Sequence, residues 1–127
     1  YASNSSLLSN DEQKVRENVN SAVGIARKAI GQSGIEENIY LAGDIGPIPE
    51  MSGFSKSENE SEYTRLASYM LEAGVDAVHF ETFADYEEIL PAIRYIRDNA
   101  EDIFISVQIK GKILCFHNSH LLSINYI

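Results

Sequence analysis

A short apolar strand between two helical segments is the feature that most constrains the fold of this chain. In the stretch AGVDAVHFETFAD at 73–85, a helix is predicted to end at Gly74 and a strand to run over 77–80. A new helix is predicted to begin at Asp85. Helix, buried strand and helix in this order are typical of a parallel α/β fold. Because functional residues of such folds lie at the carboxyl ends of strands, Glu81 is the first candidate for function.

Two further helices and two further strands are predicted along the chain. An apolar period of 3.6 predicts the first helix from a capping box at 9–12 to a C-terminal stop at Gly31 or Gly34. The same period predicts another helix from about 61 to 73. The helix after the 77–80 strand contains Pro91, which is expected in its second turn and would kink it there. Apolar runs at 39–42 and 103–109 predict the other two strands, so the sequence alternates helix and strand three times.

A pair of carboxylates is predicted at one edge of the resulting sheet. Parallel strands joined by right-handed crossovers end on the same edge, so Asp44 and Glu81 are expected on neighbouring strands about 5 Å apart. Such a pair would bind a substrate ammonium group, bind a metal ion, or act as acid and base. Two structural alternatives to a functional site stay open. In the first, the glycine-rich segment 43–47 is a plain turn that contacts no ligand. In the second, Glu81 caps a backbone group or pairs with an arginine.

Composition narrows the class of partner. The 127 residues carry 10 Lys and Arg against 19 Asp and Glu, a formal net charge of -9, which argues against nucleic acid and anionic membrane surfaces. No apolar run approaches the roughly 20 residues of a membrane span, and no signal peptide is visible, so a cytoplasmic location is predicted. The start at Tyr1, in a polar stretch without an initiator Met, is typical of a fragment or of a processed N-terminus.

The last segment of the chain differs in composition from the rest. Every Asp and Glu lies at or before Asp102, and 110–127 is predicted to be a divergent tail produced by truncation or a frame shift. The single cysteine of the chain, Cys115, lies there near His117 and His120. Their spacing is not a known zinc pattern, and structural zinc sites usually need four protein ligands, so no metal is predicted to bind this cluster.

Several segments of the first 109 residues resemble the homocysteine S-methyltransferase domain. They are LAGDIGP at 41–47, EY at 62–63, LEAGVD at 71–76 and FET at 80–82. This domain occurs in cobalamin-dependent methionine synthase, in betaine–homocysteine methyltransferase and in S-methylmethionine-dependent enzymes. The stretch 89–96 is most similar to bacterial members, some of them fused to a methylenetetrahydrofolate reductase.

The resemblance implies an α/β fold that is an interior slice of a (β/α)8 barrel of about 250 residues, with three parallel strands, the third to fifth, and flanking helices. It implies that Glu81 holds the amino group of homocysteine, with Thr82 as a neighbour of the pocket. The 43–47 loop, with Gly46, lines the same pocket. Asp44 stands where many members have Ser, and we include it as a substrate-binding candidate.

The resemblance also implies a catalytic zinc held by three cysteines on later strands, which activates the homocysteine thiol to accept a methyl group and give methionine. The methyl donor would be methylfolate through cobalamin, betaine or S-methylmethionine. This chain has no such cysteine trio, so we expect it to bind no zinc and to be inactive alone.

Two other interpretations remain open. The chain would be another barrel enzyme that uses Asp44 and Glu81 as acid and base or as Mg²⁺ ligands. Alternatively, it would be a non-catalytic degenerate fragment. Because three strands cannot close a barrel, both sheet edges are expected to stay open and to favour self-association, unless the apolar tail covers one of them.

Overall fold

The chain forms an α/β structure in which three parallel strands are followed by an antiparallel hairpin. The computed structural model describes residues 11–35, 39–49 and 52–109, together with the backbone of two strands at 112–117 and 120–124. The elements are α1 (Glu12–Ser33), β1 (Ala42–Ile45), α2 (Lys56–Ala73), β2 (Ala77–Phe83), a short 3-10 helix (Glu87–Ile89), α3 (Leu90–Asn99), β3 (Phe104–Ile109), β4 (Lys112–His117) and β5 (His120–Ile124).

The five strands form one sheet in the order of the sequence, β1-β2-β3-β4-β5. The pairs β1–β2 and β2–β3 are parallel, whereas β3–β4 and β4–β5 are antiparallel. Consecutive parallel strands that are direct neighbours, each joined to the next by a helix, are the repeating unit of a TIM barrel. The predicted fold class, an α/β fragment of such a barrel, is therefore confirmed.

Helices pack against one face of the parallel strands. The sheet residues that are buried on this face alternate along β1, β2 and β3: Gly43, Ile45, Val78, Phe80, Ile105 and Val107. A Cβ atom on Gly43 would lie only 2.5 Å from Sδ of Met70, because α2 crosses β1 at this point. The helix α1 contributes buried Val15 and Val19 to the same core cluster and packs mainly against α2.

Two helix starts differ from the sequence prediction. Asp11 is the N-cap of α1 and accepts a hydrogen bond from the Lys14 N–H; the predicted capping box began at Ser9, which lies outside the described residues. The helix α2 begins at Lys56, five residues earlier than predicted. Ser55 and Glu58 form a reciprocal capping box there, which offsets the low apolar content of its first turn.

The predicted kink at Pro91 is wrong. The helix α3 begins at Leu90 after the short 3-10 helix, so Pro91 lies in its first turn, where the missing N–H has no helical partner to lose. The predicted start at Asp85 is replaced by a turn in which the Asp85 side chain accepts from the Glu87 N–H. This turn delays the helix by five residues.

The first strand lies three residues further along the chain than predicted. The strand β1 spans Ala42–Ile45, so Asp44 is part of the strand and not of a loop. Tyr40 is 80% exposed, which explains why the apolar run that begins before it is not a buried strand. No turn forms over 46–49, so the alternative of a plain turn at 43–47 is also wrong.

The outer edge of β3 is covered by β4, which belongs to the tail. One edge of the three-stranded unit is therefore not open, and the alternative that the tail covers an edge is confirmed. The edges of the described sheet are β1 and β5. The predicted domain boundary falls between β3 and β4. Cys115, His117 and His120 lie within the hairpin strands, and their side chains are outside the described residues.

None of the helices described over 12–33, 56–73 and 90–99 combines the length and the apolar character that crossing a bilayer requires.

Candidate functional site

The two carboxylates predicted from the sequence lie together on the face of the sheet opposite the helices. In the β1–β2 register, Asp44 stands beside His79, and Glu81 follows two residues later on the same face of β2. All three side chains are partly buried. None of the ion pairs found among the described residues includes Glu81, so the alternative that Glu81 pairs with an arginine finds no support.

The surroundings of Asp44 disfavour the ionised form of its carboxyl group. Burial raises the pKa of its carboxyl group above the ordinary value of 3.8, and the neighbouring charge and side-chain hydrogen bond of Glu81 raise it further. The charge of His79 acts in the opposite direction. In addition, Oδ1 of Asp44 is buried and has no hydrogen-bond partner. A buried acceptor without a partner is costly, so a ligand that donates a hydrogen bond would be stabilised at this position.

His79 belongs to this group of side chains although the sequence analysis did not single it out. The register places Asp44, His79 and Ser106 in one row across β1, β2 and β3. The signal was present in the sequence, because the two-residue period of a strand puts positions 79 and 81 on the same face. The sequence analysis assigns His79 only to an apolar strand.

A β-bulge separates Glu81 from the regular part of β2. Phe80 pairs with Val107 and Phe83 with Ile109, so β2 carries one extra residue between these pairs. Thr82 takes up the irregularity with φ of 60°, a left-handed conformation that is rare for a β-branched residue. Thr82 is exposed and Phe83 is buried in the core on the helix side, so the bulge shifts the inward and outward alternation of the strand by one residue.

The segment after β1 is fixed from the helix side. Gly46 is buried directly after the strand, and two residues later the Ile48 N–H donates to the Tyr63 hydroxyl at 2.9 Å. The Tyr63 ring packs edge-on against Phe83 with 5.2 Å between ring centroids. This contact links the loop after β1 to the strand end that carries Glu81.

A cavity of about 320 Å³ lies on the helix side of the same strand ends. Its lining combines apolar side chains with the polar residues Asn59, Asp85 and Glu88. Asn59 Oδ1 is buried there without a hydrogen-bond partner. The sequence analysis did not identify this cavity, because its walls come from separate parts of the chain: the β1–α2 connection, α2, and the end of β2 with the residues that follow it.

At the amino end of β2, unlike at the carboxyl end, the aspartate has hydrogen-bond partners for both carboxylate oxygens. Asp76 Oδ2 accepts from the Leu41 N–H at 2.7 Å, and Oδ1 accepts from Arg27 at 2.8 Å. The hydrogen bond from Arg27 lowers the pKa of Asp76 below 3.8, and that from Leu41 adds to the effect. The LEAGVD segment at 71–76 therefore provides a structural anchor through its last residue.

The EY pair at 62–63 is also structural. Glu62 is fully buried within α2 and forms an ion pair with Arg65, which also contacts Glu12 on α1. Its neighbour Tyr63 holds the loop after β1, as described above. Neither side chain lies on the face that carries Asp44.

The described residues do not fit the zinc site that the family resemblance implies. Within the ranges described above, no group of three or more His, Cys, Asp or Glu side chains is arranged to hold a metal ion. The 127 residues contain one cysteine, whereas the implied site needs three. No chemical step of this chain is therefore derived through zinc.

Comparison with protein families gives a match, whereas a search of curated proteins finds none. The family model described as homocysteine S-methyltransferase matches residues 1–119 of the 127. This match covers α1, the three parallel strands, their connecting helices and β4. The chain therefore belongs to the homocysteine S-methyltransferase family.

Proposed function

We propose that this chain is a substrate-binding portion of a homocysteine S-methyltransferase. The parent reaction transfers a methyl group to the sulfur of homocysteine and gives methionine, in methionine biosynthesis. In this proposal the Glu81 carboxylate accepts hydrogen bonds from the ammonium group of homocysteine. Asp44 provides a second carboxylate, and Thr82 and Gly46 border the pocket.

One observation carries the proposal: two partly buried carboxylates share the helix-free face at the ends of β1 and β2, and Oδ1 of Asp44 has no partner. An ammonium group has three N–H donors and one positive charge. It would satisfy the orphan oxygen and relieve the repulsion between Asp44 and Glu81 at the same time. Charge-assisted hydrogen bonds of this kind are about twice as strong as neutral ones.

The methyl donor is left open among methylfolate through cobalamin, betaine and S-methylmethionine. Zinc, when held by the three cysteines of the family, supplies a thiolate from the homocysteine thiol. This chain's own contribution is to orient the amino acid through its ammonium group. We further propose a cytoplasmic location and a boundary near residue 109 between the barrel portion and the tail.

Calorimetric titration of the 127-residue chain with L-homocysteine under reducing conditions tests the proposal. We expect binding that weakens at least tenfold in Glu81→Gln, since the charge-assisted hydrogen bond is worth about 1.5–3 kcal/mol. Glu101→Gln is the matched control, because Glu101 is an exposed residue after α3 and far along the chain from the site. Equal affinity in the wild type and Glu81→Gln would contradict the proposal.

Activity and metal assays separate the alternative interpretations. We expect no methionine from the purified chain with homocysteine and any of the three methyl donors, because the cysteine trio is missing. Measurable methyl transfer would refute this expectation. Stabilisation by Mg²⁺ that disappears in Glu81→Gln would instead favour a metal-dependent enzyme built on Asp44 and Glu81.

A further inference from the structure

We propose that Tyr63 is a positioning residue of this site, because one buried phenol holds both strand ends that carry the carboxylates and so sets the separation between Asp44 and Glu81. The inference deepens the proposed function and rests on it, since it assumes that the two carboxylates receive one ammonium group together. Tyr63 belongs to the core on the helix side of the sheet. It therefore acts through the two strand ends and not by contact with the ligand.

The first contact of Tyr63 restrains the end of β1. Its hydroxyl accepts a hydrogen bond from the Ile48 N–H at 2.9 Å, and both residues are buried. Only three residues separate Ile48 from Asp44, and one of them is Pro47, whose ring fixes φ. Little slack remains between the hydrogen bond and the carboxylate, so a displacement of Ile48 is transmitted to the end of β1.

The second contact of Tyr63 restrains the end of β2. Its ring packs edge-on against Phe83 with 5.2 Å between ring centroids, and Phe83 packs in the same manner against Phe80 at 6.1 Å. Glu81 and Thr82 are the residues between these two rings. The left-handed φ of 60° at Thr82 is a strained conformation, which persists only where the surrounding structure imposes it. The buried rings on either side supply that constraint and thereby fix where Glu81 lies.

Tyr63 combines these two contacts in one rigid, buried group. It is fully buried within α2, and the ring joins its hydroxyl rigidly to the surface that contacts Phe83. Burial raises the pKa of the hydroxyl above its ordinary value of 10, so the contact with Ile48 is unchanged across the physiological pH range. Asp44 and Glu81 carry like charges on neighbouring strands, and a restraint common to the two strand ends opposes their separation.

Separation of the two strand ends would weaken ligand binding without removing any atom that the ligand touches. Charge-assisted N–H···O bonds span about 2.7–2.9 Å, so an ammonium group bridges two carboxylates only while both lie within this reach. A shift of about 1 Å at one strand end takes one acceptor beyond hydrogen-bond distance. The ligand then keeps one charge-assisted hydrogen bond and loses the other.

Calorimetric titration of Tyr63→Phe with L-homocysteine under reducing conditions tests this role. Phenylalanine keeps the ring contact with Phe83 and removes only the hydroxyl, so we expect a folded chain whose affinity falls about threefold or more. Tyr86→Phe, which alters a half-exposed tyrosine, is the matched control and should bind as wild type. In the Glu81→Gln background, Tyr63→Phe should weaken binding by a smaller factor, because the carboxylate pair is already broken. Equal factors in the two backgrounds would overturn the inference.

A measurement without ligand keeps the failure of this inference distinct from that of the proposed function. In amide NMR spectra, Tyr63→Phe should shift the signals of Ile48 at one strand end and of Glu81 and Thr82 at the other, whereas Tyr86→Phe should shift neither set. A change confined to Ile48, or an unchanged affinity for homocysteine, overturns the positioning role while the proposed function stands. No homocysteine binding by the wild type, with signals shifted at both strand ends, overturns the proposed function and leaves Tyr63 as a structural link alone.

Discussion

At the amino end of β2, Asp76 accepts hydrogen bonds from the Leu41 backbone and from Arg27, and its pKa is lowered. At the carboxyl end, Asp44 has an oxygen without a partner, faces the charge of Glu81, and has a raised pKa. An aspartate thus stabilises the amino end of the sheet when ionised, whereas an ionised aspartate is unfavourable at the carboxyl end. In barrels of this class, the amino end serves stability and the carboxyl end serves function.

The two ends also differ in which residue type adopts a left-handed backbone conformation. At the amino end, α2 ends at Gly74, where a left-handed φ of 82° suits a glycine. At the carboxyl end, the left-handed position is occupied by Thr82, next to Glu81 and inside a bulge. Strained conformations of this kind cost about 1–3 kcal/mol and concentrate at functional sites. The comparison teaches that this chain places its least favourable local structure where the candidate site lies.

The largest expected effect comes from breaking the amino-end anchor. Asp76→Ala should destabilise the chain by about 2–3 kcal/mol, because the Leu41 N–H and the Arg27 guanidinium both lose their acceptor. Urea unfolding at pH 7 measures this loss, and exposed Asp98→Ala is the control. Because the pKa of Asp76 is lowered in the folded state, the difference between wild type and variant should shrink as the pH falls below 3.8. A constant difference down to pH 2 would contradict this account.

A smaller effect is expected from the hydrogen bond that fixes the loop after β1. Tyr63→Phe should cost about 1–2 kcal/mol, because the Ile48 N–H loses its partner in a buried position while the ring contact with Phe83 is kept. Tyr86→Phe, at a half-exposed ring, should change the free energy of unfolding by less than about 0.5 kcal/mol. Amide hydrogen exchange should show faster exchange at Ile48 in the first variant alone.

At the carboxyl end of the sheet, removing a carboxylate is expected to increase the free energy of unfolding. Asp44→Asn should stabilise the chain by about 0.5–1 kcal/mol at pH 7, because it removes a like-charge pair between neighbouring strands. The raised pKa means that Asp44 is favourable for folding when protonated, below its ordinary value of 3.8, and unfavourable once ionised at higher pH. The gain should therefore vanish in acid. Destabilisation at pH 7 would show that Asp44 is satisfied in the folded chain.

The smallest expected effect tests the strain at Thr82. Thr82→Asn should stabilise the chain by about 0.5 kcal/mol, since Asn tolerates a left-handed φ better than a β-branched residue does. Thr82→Val keeps the β-branch and should give no gain. Thermal unfolding of both variants distinguishes relief of backbone strain from a general effect of replacing the hydroxyl. Unlike the Asp44→Asn gain, this one should not depend on pH.

Strand and helix periodicity predicted most of the fold. The alternation of apolar segments identified three helices, the three parallel strands and the shared edge that carries Asp44 and Glu81. Element boundaries were less accurate. The start of α2 was missed because polar residues in its first turn carry no apolar period, and β1 was misplaced because an apolar run at 39–42 gave no sign that Tyr40 would be exposed.

The candidate site was likewise predicted in part from the sequence and decided in part by the tertiary structure. The sequence by itself determined which carboxylates reach the carboxyl ends of adjacent strands, because that follows from chain order and the handedness of the crossovers. Only the tertiary structure decided that His79 joins Asp44, that a bulge turns Thr82 outward, and that Asp76 is an anchor. Those features depend on register and on contacts between residues about 35 positions apart. A local pattern of apolar and polar residues contains no information about such pairings.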